Sequence, residues 1–356
     1  LKTILTNYLE SNGLISPNQH GFRGGRSTQT AILDSMLDWT AALDKRRSVD
    51  VVYFDISKAF DTVVHSKLLT KLRCYGIRGL IYDWISDFLC GRQQYVSIND
   101  SKSSRIPVLS GVPQGSVLGP LLFNVFINDI TTCIRHSSIV IFADDTKLYS
   151  YVDSDVMFYN LLEDIRSLFA WVKENQLEVA ISKCAVLHLG SRNPRRDVVV
   201  DGMLLPVFAS TKDLGITFSE SLKPSQHCAI IAAKAFQKSS LIFRGFRCRS
   251  PSFLKAAFSV YVRPILEYAS CCWNPTLVKD IRLLESVQRR FTKRIPGMRT
   301  LSYAHRLDVL GLESLEMRRL KADLIEVFKI LKGIDKIDSG KFFSLATGIT
   351  RGHNLK

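Results

Sequence analysis

An α+β fold is what this sequence predicts, and three observations carry the prediction. Two β-branched segments each end in aspartate: Val51-Val52-Tyr53-Phe54-Asp55, and the apolar hairpin arm Ser138-Ile139-Val140-Ile141-Phe142-Ala143-Asp144-Asp145. Apolar residues at helical spacing lie between and around them. Helical patterning then dominates from about residue 220 onward. With 356 residues, 46% of them hydrophobic, the chain can bury a full core and allows two domains. We expect 1–219 to be the mixed domain and 220–356 the helical one, although no Gly/Ser/Pro linker marks the boundary.

In chain order, residues 28–46 form an amphipathic helix whose stripe is Ile32, Leu33, Met36, Leu37 and Leu43. The strand to Asp55 passes through a turn into a helix capped near Ser57. A helix over 64–74 is stopped by Gly76. The loop containing Gln114 feeds a helix over 120–130, and the hairpin follows, with Thr146-Lys147-Leu148-Tyr149 on its return. Residues 156–174 are helical, and 185–189 and 213–218 are short strands. Over 279–295, Ile281, Leu284, Val287 and Phe291 line one helical face while Arg282, Arg289 and Lys293 lie on another.

Chemistry enters at the strand ends. Two unit charges about 4 Å apart repel by about 4 kcal/mol at an effective dielectric near 20, so paired carboxylates at a hairpin tip ask for a cation. If the two aspartate-ended strands are neighbours in one sheet, Asp55, Asp144 and Asp145 converge. Oxygen ligands on rigid strands, with positions left open for water and phosphate, suit Mg²⁺. Two such ions about 3.5 to 4 Å apart clamp the attacking and leaving oxygens of a phosphoryl transfer. The charge balance agrees: 48 lysines and arginines against 33 acids give +15, which favours a polyanionic partner. Most of that surplus falls in 241–332, where 18 basic residues meet 8 acidic ones.

The eight cysteines show no C-x-x-C pair and no zinc-knuckle spacing, so they read as reduced, mostly buried thiols of an intracellular protein, in the nucleus, the cytoplasm or both. No apolar run approaches a membrane span, because Asn124 and Asn128 interrupt the best stretch, and no signal-peptide pattern is present. Beginning at Leu1 rather than methionine, the chain reads as a fragment.

Three blocks carry a family resemblance. Phe54-Asp55 with Lys58-Ala59-Phe60-Asp61, then Gly111-Val112-Pro113-Gln114-Gly115-Ser116-Val117-Leu118-Gly119-Pro120, then Phe142-Ala143-Asp144-Asp145 resemble, in order, motifs A, B and C of reverse transcriptases. The match is closest to those of non-LTR (LINE-type, jockey-like or chicken-repeat-like) retrotransposons. Gln19-His20-Gly21-Phe22-Arg23 with Gly25-Arg26-Ser27-Thr28 before motif A, and 171–183 at the motif D position, agree with it. So do 262–268, Trp273-Asn274-Pro275 and 303–319, so the resemblance covers essentially the whole chain. It implies a right-hand polymerase palm, an antiparallel sheet with helices, joined to partial fingers and a helical, basic, thumb-like C-terminal region. The implied activity is RNA-directed DNA synthesis with two Mg²⁺ ions, or Mn²⁺ in their place, on Asp55, Ile56, Asp144 and Asp145. An RNA template, a DNA primer and a dNTP are the implied partners.

The same resemblance assigns further residues. Phe60, five residues after Asp55, matches the family's steric gate, an aromatic ring under the sugar that excludes a 2′-hydroxyl. Viral RNA-dependent RNA polymerases place a polar residue there, so Phe60 argues for deoxynucleotides; core packing is its plainer role. Gln114 falls beside the incoming nucleotide, with Lys58, Ala59 and Gly115 around it, although it also reads as a turn residue. Lys183 occupies the place of the lysine that protonates departing pyrophosphate, help of about 10² to 10⁴-fold; a solvated lysine is the alternative. Asp61 reads first as an acid in the opening turn of a helix. Arg23 and Arg26 sit in a Gly-rich loop that suits phosphate or template backbone, or are exposed charges that aid solubility. Arg282, Arg289 and Lys293 suit a duplex backbone, or form a solvated face.

The chain also departs from the family. Val64-His65 stands where relatives often have Asp-His, and Ala180 where an Asn usually precedes the motif D lysine. A fingers segment with an Arg-Pro-Ile motif and an N-terminal endonuclease are expected upstream of Leu1, and 351–356 resembles the middle of the family's C-terminal region. The competing reading is a catalytically silent retrotransposon remnant that only binds nucleic acid.

Overall fold

The structure, a computed structural model, describes residues 1–344; the 351–356 ending lies outside the described residues. Helices α1 (Lys2–Ser11) and α2 (Thr28–Asp44) precede strand β1 (Val49–Phe54) and helices α3 (His65–Cys74) and α4 (Gly79–Leu89). Four two-residue strands follow: β2 (Gln93–Gln94), β3 (Ser97–Ile98), β4 (Ser101–Lys102) and β5 (Ile106–Pro107). Then come α5 (Gly119–Ile127), the hairpin β6 (Ser138–Phe142) and β7 (Asp145–Tyr151), α6 (Asp155–Glu174), β8 (Ala185–Leu189), and the pair β9 (Val199–Val200) and β10 (Met203–Leu204). A second hairpin, β11 (Ser210–Asp213) and β12 (Ile216–Ser219), leads into α7 (Ser225–Gly245), α8 (Pro251–Ala257), α9 (Arg263–Glu267), α10 (Val278–Lys293), α11 (Tyr303–Leu310), α12 (Leu315–Leu331) and α13 (Ser339–Phe342). Two compact units result, 1–31 with 38–209 and 32–37 with 210 onward. The hairpin at 210–219 therefore goes with the helical unit rather than with the first.

In the first unit an antiparallel sheet runs in the order β6-β7-β1-β8. β1 is an inner strand, hydrogen-bonded on both sides, which explains its apolar run: Val49, Val51, Val52 and Phe54 are all buried. α6 packs on β7 with Phe158, Leu161, Leu162, Ile165, Leu168, Trp171 and Val172 inward, steps of three and four that make one helical stripe. Its start is capped by Ser154, whose hydroxyl accepts the Met157 N–H. α5 is buried on every side from Leu121 to Ile127, and each such aliphatic or phenyl side chain contributes about 1.5–3 kcal/mol. Asn124, the polar residue inside it, donates to the Gly21 carbonyl at 2.8 Å.

The second unit is built on α7 against α10. Leu284, Val287 and Phe291 are buried along α10, and the Phe291 ring meets Phe243 of α7 and Phe258 at 4.8 and 4.9 Å. α8 passes into α9 through a π turn at Phe258–Val262, placed just before Pro264, whose ring nitrogen has no hydrogen to donate.

Several sequence expectations are corrected. Residues 57–61 form turns, not a helix: Lys58 has a left-handed φ of 48°, and the N–H groups of both Asp61 and Thr62 donate to its carbonyl. The strand expected over 213–218 is a hairpin, since Leu214 and Gly215 both have positive φ, the requirement of a tight two-residue turn. Only Cys184, Cys228 and Cys272 are buried, whereas Cys74, Cys90 and Cys248 are exposed and all eight are free thiols. Among the described residues no helix is long and apolar enough to cross a membrane.

Candidate active site

β1 and β7 pair with Phe54 opposite Thr146, so Asp55, the next residue, emerges beside the tip of the β6–β7 hairpin. Phe142 pairs with Asp145, which leaves Ala143 and Asp144 as a two-residue turn. Burial pushes the Asp144 carboxyl above the ordinary aspartate range; its own backbone hydrogen bond pulls down, and the Asp55 charge pushes up again. Lys183 Nζ stands 3.5 Å from Asp55 Oδ1. Among the described residues no three His, Cys, Asp or Glu side chains gather into a ready metal cage. The two carboxylates coupled electrostatically here are Asp55 and Asp144, while Asp145 is exposed at the start of β7. Asp144 and Asp145 are consecutive, one in the turn and one opening β7, and successive side chains diverge. A pair still fits Mg²⁺, which is commonly bound through one or two carboxylates plus water and phosphate.

The turn is held from far along the chain. Ala143 has φ 58°, a strained conformation for a residue with a Cβ. Gln19 clamps it: Oε1 accepts the Ala143 N–H at 2.9 Å and the Gly21 N–H at 2.7 Å, while the Gln19 backbone bridges Ile141. Gly21 is packed so closely that a Cβ there would lie 2.4 Å from the Ala143 nitrogen. Ahead of β6, the buried Asp164 of α6 accepts the N–H groups of Arg135, His136 and Ser137 at 2.8, 2.9 and 2.6 Å. Sequence reasoning assigned no such role to Gln19 or Asp164. An aspartate on the apolar face of a helix was the available signal for the latter.

Around Asp55 the backbone is zipped to the motif D segment. The Asp55 carbonyl accepts the Ala180 N–H, Ile56 bridges Val179, and the Ser57 N–H donates to the Glu178 carbonyl, an arrangement that carries Lys183 to the site. On the other side the Val112 N–H donates to the Phe60 carbonyl and the Gly111 N–H to that of Val63. A Cβ at Gly111 would lie 2.8 Å from the Asp61 carbonyl oxygen. His65 Nε2 lies 2.8 Å from the Gly111 carbonyl oxygen, so the histidine kept in the Val64-His65 departure holds this loop. Gln114 Nε2 donates to Asp61 Oδ1 at 2.7 Å. Half-buried Phe60 stacks on Phe123 at 4.1 Å and meets the edge of Phe22 at 6.2 Å.

The remaining predicted residues divide. Lys58 and Gly115 are exposed, the latter at φ 78°, but Ala59 is buried, so its methyl is core and only its backbone is left to face a ligand. Arg23 is corrected to a structural role: its guanidinium holds both Glu10 carboxylate oxygens, at 2.7 and 2.6 Å, and the Ser16 carbonyl. Arg26 lies against His20, Nη1 to Nε2 at 3.3 Å. Burial, with Arg26, Lys147 and Arg23 nearby, lowers the His20 pKa to about 3, so that ring is neutral at pH 7. Arg282, Arg289 and Lys293 are exposed on α10, and Arg289 lies over the Tyr303 ring at 4.2 Å.

An antiparallel sheet that presents paired aspartates at the ends of neighbouring strands, with a lysine beside them, is the frame of a template-directed polymerase palm. Residues 1–245 match the reverse transcriptase (RNA-dependent DNA polymerase) family, and the chain belongs to it, in the branch of non-LTR retrotransposons. It is 27% identical over 306 residues to the probable RNA-directed DNA polymerase from transposon BS of Drosophila melanogaster, covering 82% of this chain and 34% of that one. With the RNA-directed DNA polymerase from mobile element jockey of Drosophila funebris it shares 29% identity over 311 residues, covering 83% and 34%. The chain thus spans about a third of the length of these curated relatives. Among solved structures the fold is similar to apo telomerase from Candida tropicalis, with TM-score 0.50 and 10% identity over 86% of this chain and 50% of that one.

Proposed function

We propose that this domain copies RNA into DNA, adding deoxynucleotides to a primer 3′-hydroxyl. The observation that carries the reading is the Asp55–Asp144 pair at adjoining strand ends, with Lys183 as the one cation paired to it among the described residues. The first unit, which ends at about residue 209, acts as palm and partial fingers, and the second, mainly helical unit as a thumb-like region. Asp55 and Asp144, with Ile56 and Asp145 beside them, would hold Mg²⁺ or Mn²⁺. When bound, such ions stabilise charge on the attacking and leaving oxygens of the transfer. The primer 3′-oxygen bonds to the α-phosphorus of the dNTP as the bond to pyrophosphate breaks, and Lys183 holds the proton that the pyrophosphate takes up. Phe60, backed by Phe123, forms the floor under the sugar. Asp61 tethers Gln114 so that the motif B loop faces the nucleotide, with Gly115 leaving one side open.

Primer extension tests the reading, with paired RNA and DNA templates, Mg²⁺, and either dNTPs or rNTPs. RNA-templated incorporation of dNTPs is expected. Activity with rNTPs alone overturns the assignment, and duplex binding without extension on any template favours the silent remnant.

A further inference from the structure

Around the C-terminal end of α10 the second unit contains a cavity of about 560 Å³ whose lining includes Arg249, Lys293, Arg294, Arg299 and Phe243. Among the described residues no carboxylate lines it. None of the four cations forms an ion pair among the described residues, while the acids within 244–299 are engaged elsewhere: Glu267 with Arg263 and Arg318, Asp280 with Ser225, Glu285 with Tyr303. Like charges gathered in a concavity repel one another unless an anion enters.

The guanidinium groups are also preorganised. Arg294 is exposed but rests over an apolar ring, its Cζ 3.9 Å from the centroid of the buried Phe243 side chain. Arg249 is fixed by donating from Nη1 to the Phe246 carbonyl and from Nη2 to the Phe243 carbonyl. Partial burial and the neighbouring charges of Arg290 and Arg249 lower the Arg294 pKa. A guanidinium stacked on a ring keeps its N–H edges for a ligand, and two or three such forks match the paired oxygens of phosphate. The volume exceeds one phosphate and suits a nucleotide-sized segment.

We propose that this cavity, which takes in Lys293 at the end of the basic α10 face, is a phosphate-binding pocket that seats the backbone of a nucleic-acid strand. The partner class rests on the polymerase reading; the anion site itself does not. Single-stranded RNA and an RNA–DNA hybrid share the phosphodiester chemistry, so both serve as probes.

The experiment measures binding of a labelled single-stranded RNA and of a labelled RNA–DNA hybrid to the full chain in EDTA, across a salt series. Arg294→Gln with Arg299→Gln is compared with Lys332→Gln with Lys336→Gln, which removes the same charge from exposed positions of the same unit. Loss of two phosphate contacts should flatten the slope of log K against log salt by about 1.4 for the single strand and up to about 1.8 for a duplex of B-form behaviour. The probe showing the larger change identifies the strand. Equal slopes for the two double variants, with either probe, overturn the pocket. Arg299→Gln alone, at an exposed residue whose side chain has no hydrogen bond or ion pair among the described residues, keeps the test valid if the Arg294 change disturbs folding. Because metal is absent, a failed primer-extension assay in the parent would sink the polymerase reading and leave this result standing.

Discussion

Replacing Asp144 by asparagine should make the metal-free protein more stable while ending synthesis. Asp144 and Asp55 carry like charges at adjoining strand ends, and burial and Asp55 both push the Asp144 carboxyl up. Two unit charges about 4 Å apart repel by about 1 to 4 kcal/mol as the effective dielectric falls from 80 to 20. Both groups are part-exposed, and Lys183 partly offsets Asp55, so the low end, about 1 kcal/mol, is the value to expect. Asparagine keeps the shape and removes the charge. In EDTA at pH 7 the variant should melt about 2–4 °C above the parent.

The sign follows from linkage: a carboxyl whose folded pKa is raised stabilises the fold most when protonated and loses that contribution as pH rises through the folded value. The gap between variant and parent should therefore close at acid pH, below the ordinary aspartate value of about 3.9. Mg²⁺ at ten times its dissociation constant should stabilise the parent by about 1.4 kcal/mol and the variant far less, which reverses the order. The readouts are thermal melts with and without Mg²⁺, beside primer extension and duplex binding. A variant that melts below the parent in EDTA at pH 7, or one that Mg²⁺ stabilises as much as the parent, would refute the paired-carboxylate argument. Undiminished extension would refute the catalytic one.

Three further outcomes can be checked directly. Gly21→Ala places a Cβ 2.4 Å from the Ala143 nitrogen, so the hairpin turn must shift; kcat for extension should fall about 10²-fold with duplex affinity unchanged, and an unchanged kcat would show that the turn tolerates the displacement. Asp164→Ala strands three N–H groups ahead of β6, at a cost of about 3 kcal/mol or more in chemical denaturation; a loss under 1 kcal/mol would mean that water replaces the carboxylate at no cost. Phe60→Ala removes the half-buried ring stacked on Phe123 and should lower the dNTP-over-rNTP ratio of kcat/KM while costing about 2 kcal/mol of stability, below the fully buried range. Lost stability with an unchanged ratio assigns Phe60 to the core alone.

The aspartate-ended strands, the order of the three motifs and the amphipathic α10 were legible in the sequence because each is written in spacings of a few residues, the range over which period two and period 3.6 operate. Lys183 could be placed by its distance along the motifs, but its approach to Asp55 required β8 to pair beside β1. The clamp of Gln19 on Ala143 joins groups 124 residues apart, and no local periodicity encodes such a bond. Asp164 and the 57–61 turn were missed for the same reason: a carboxylate on an apolar face and a left-handed Lys58 make sense only once their partners are in place. Arg23 and the α10 cations show the other side. A sequence specifies how many charges a chain carries, but only packing decides that Arg23 faces Glu10 while Arg249, Lys293, Arg294 and Arg299 meet around one cavity with no acid among them.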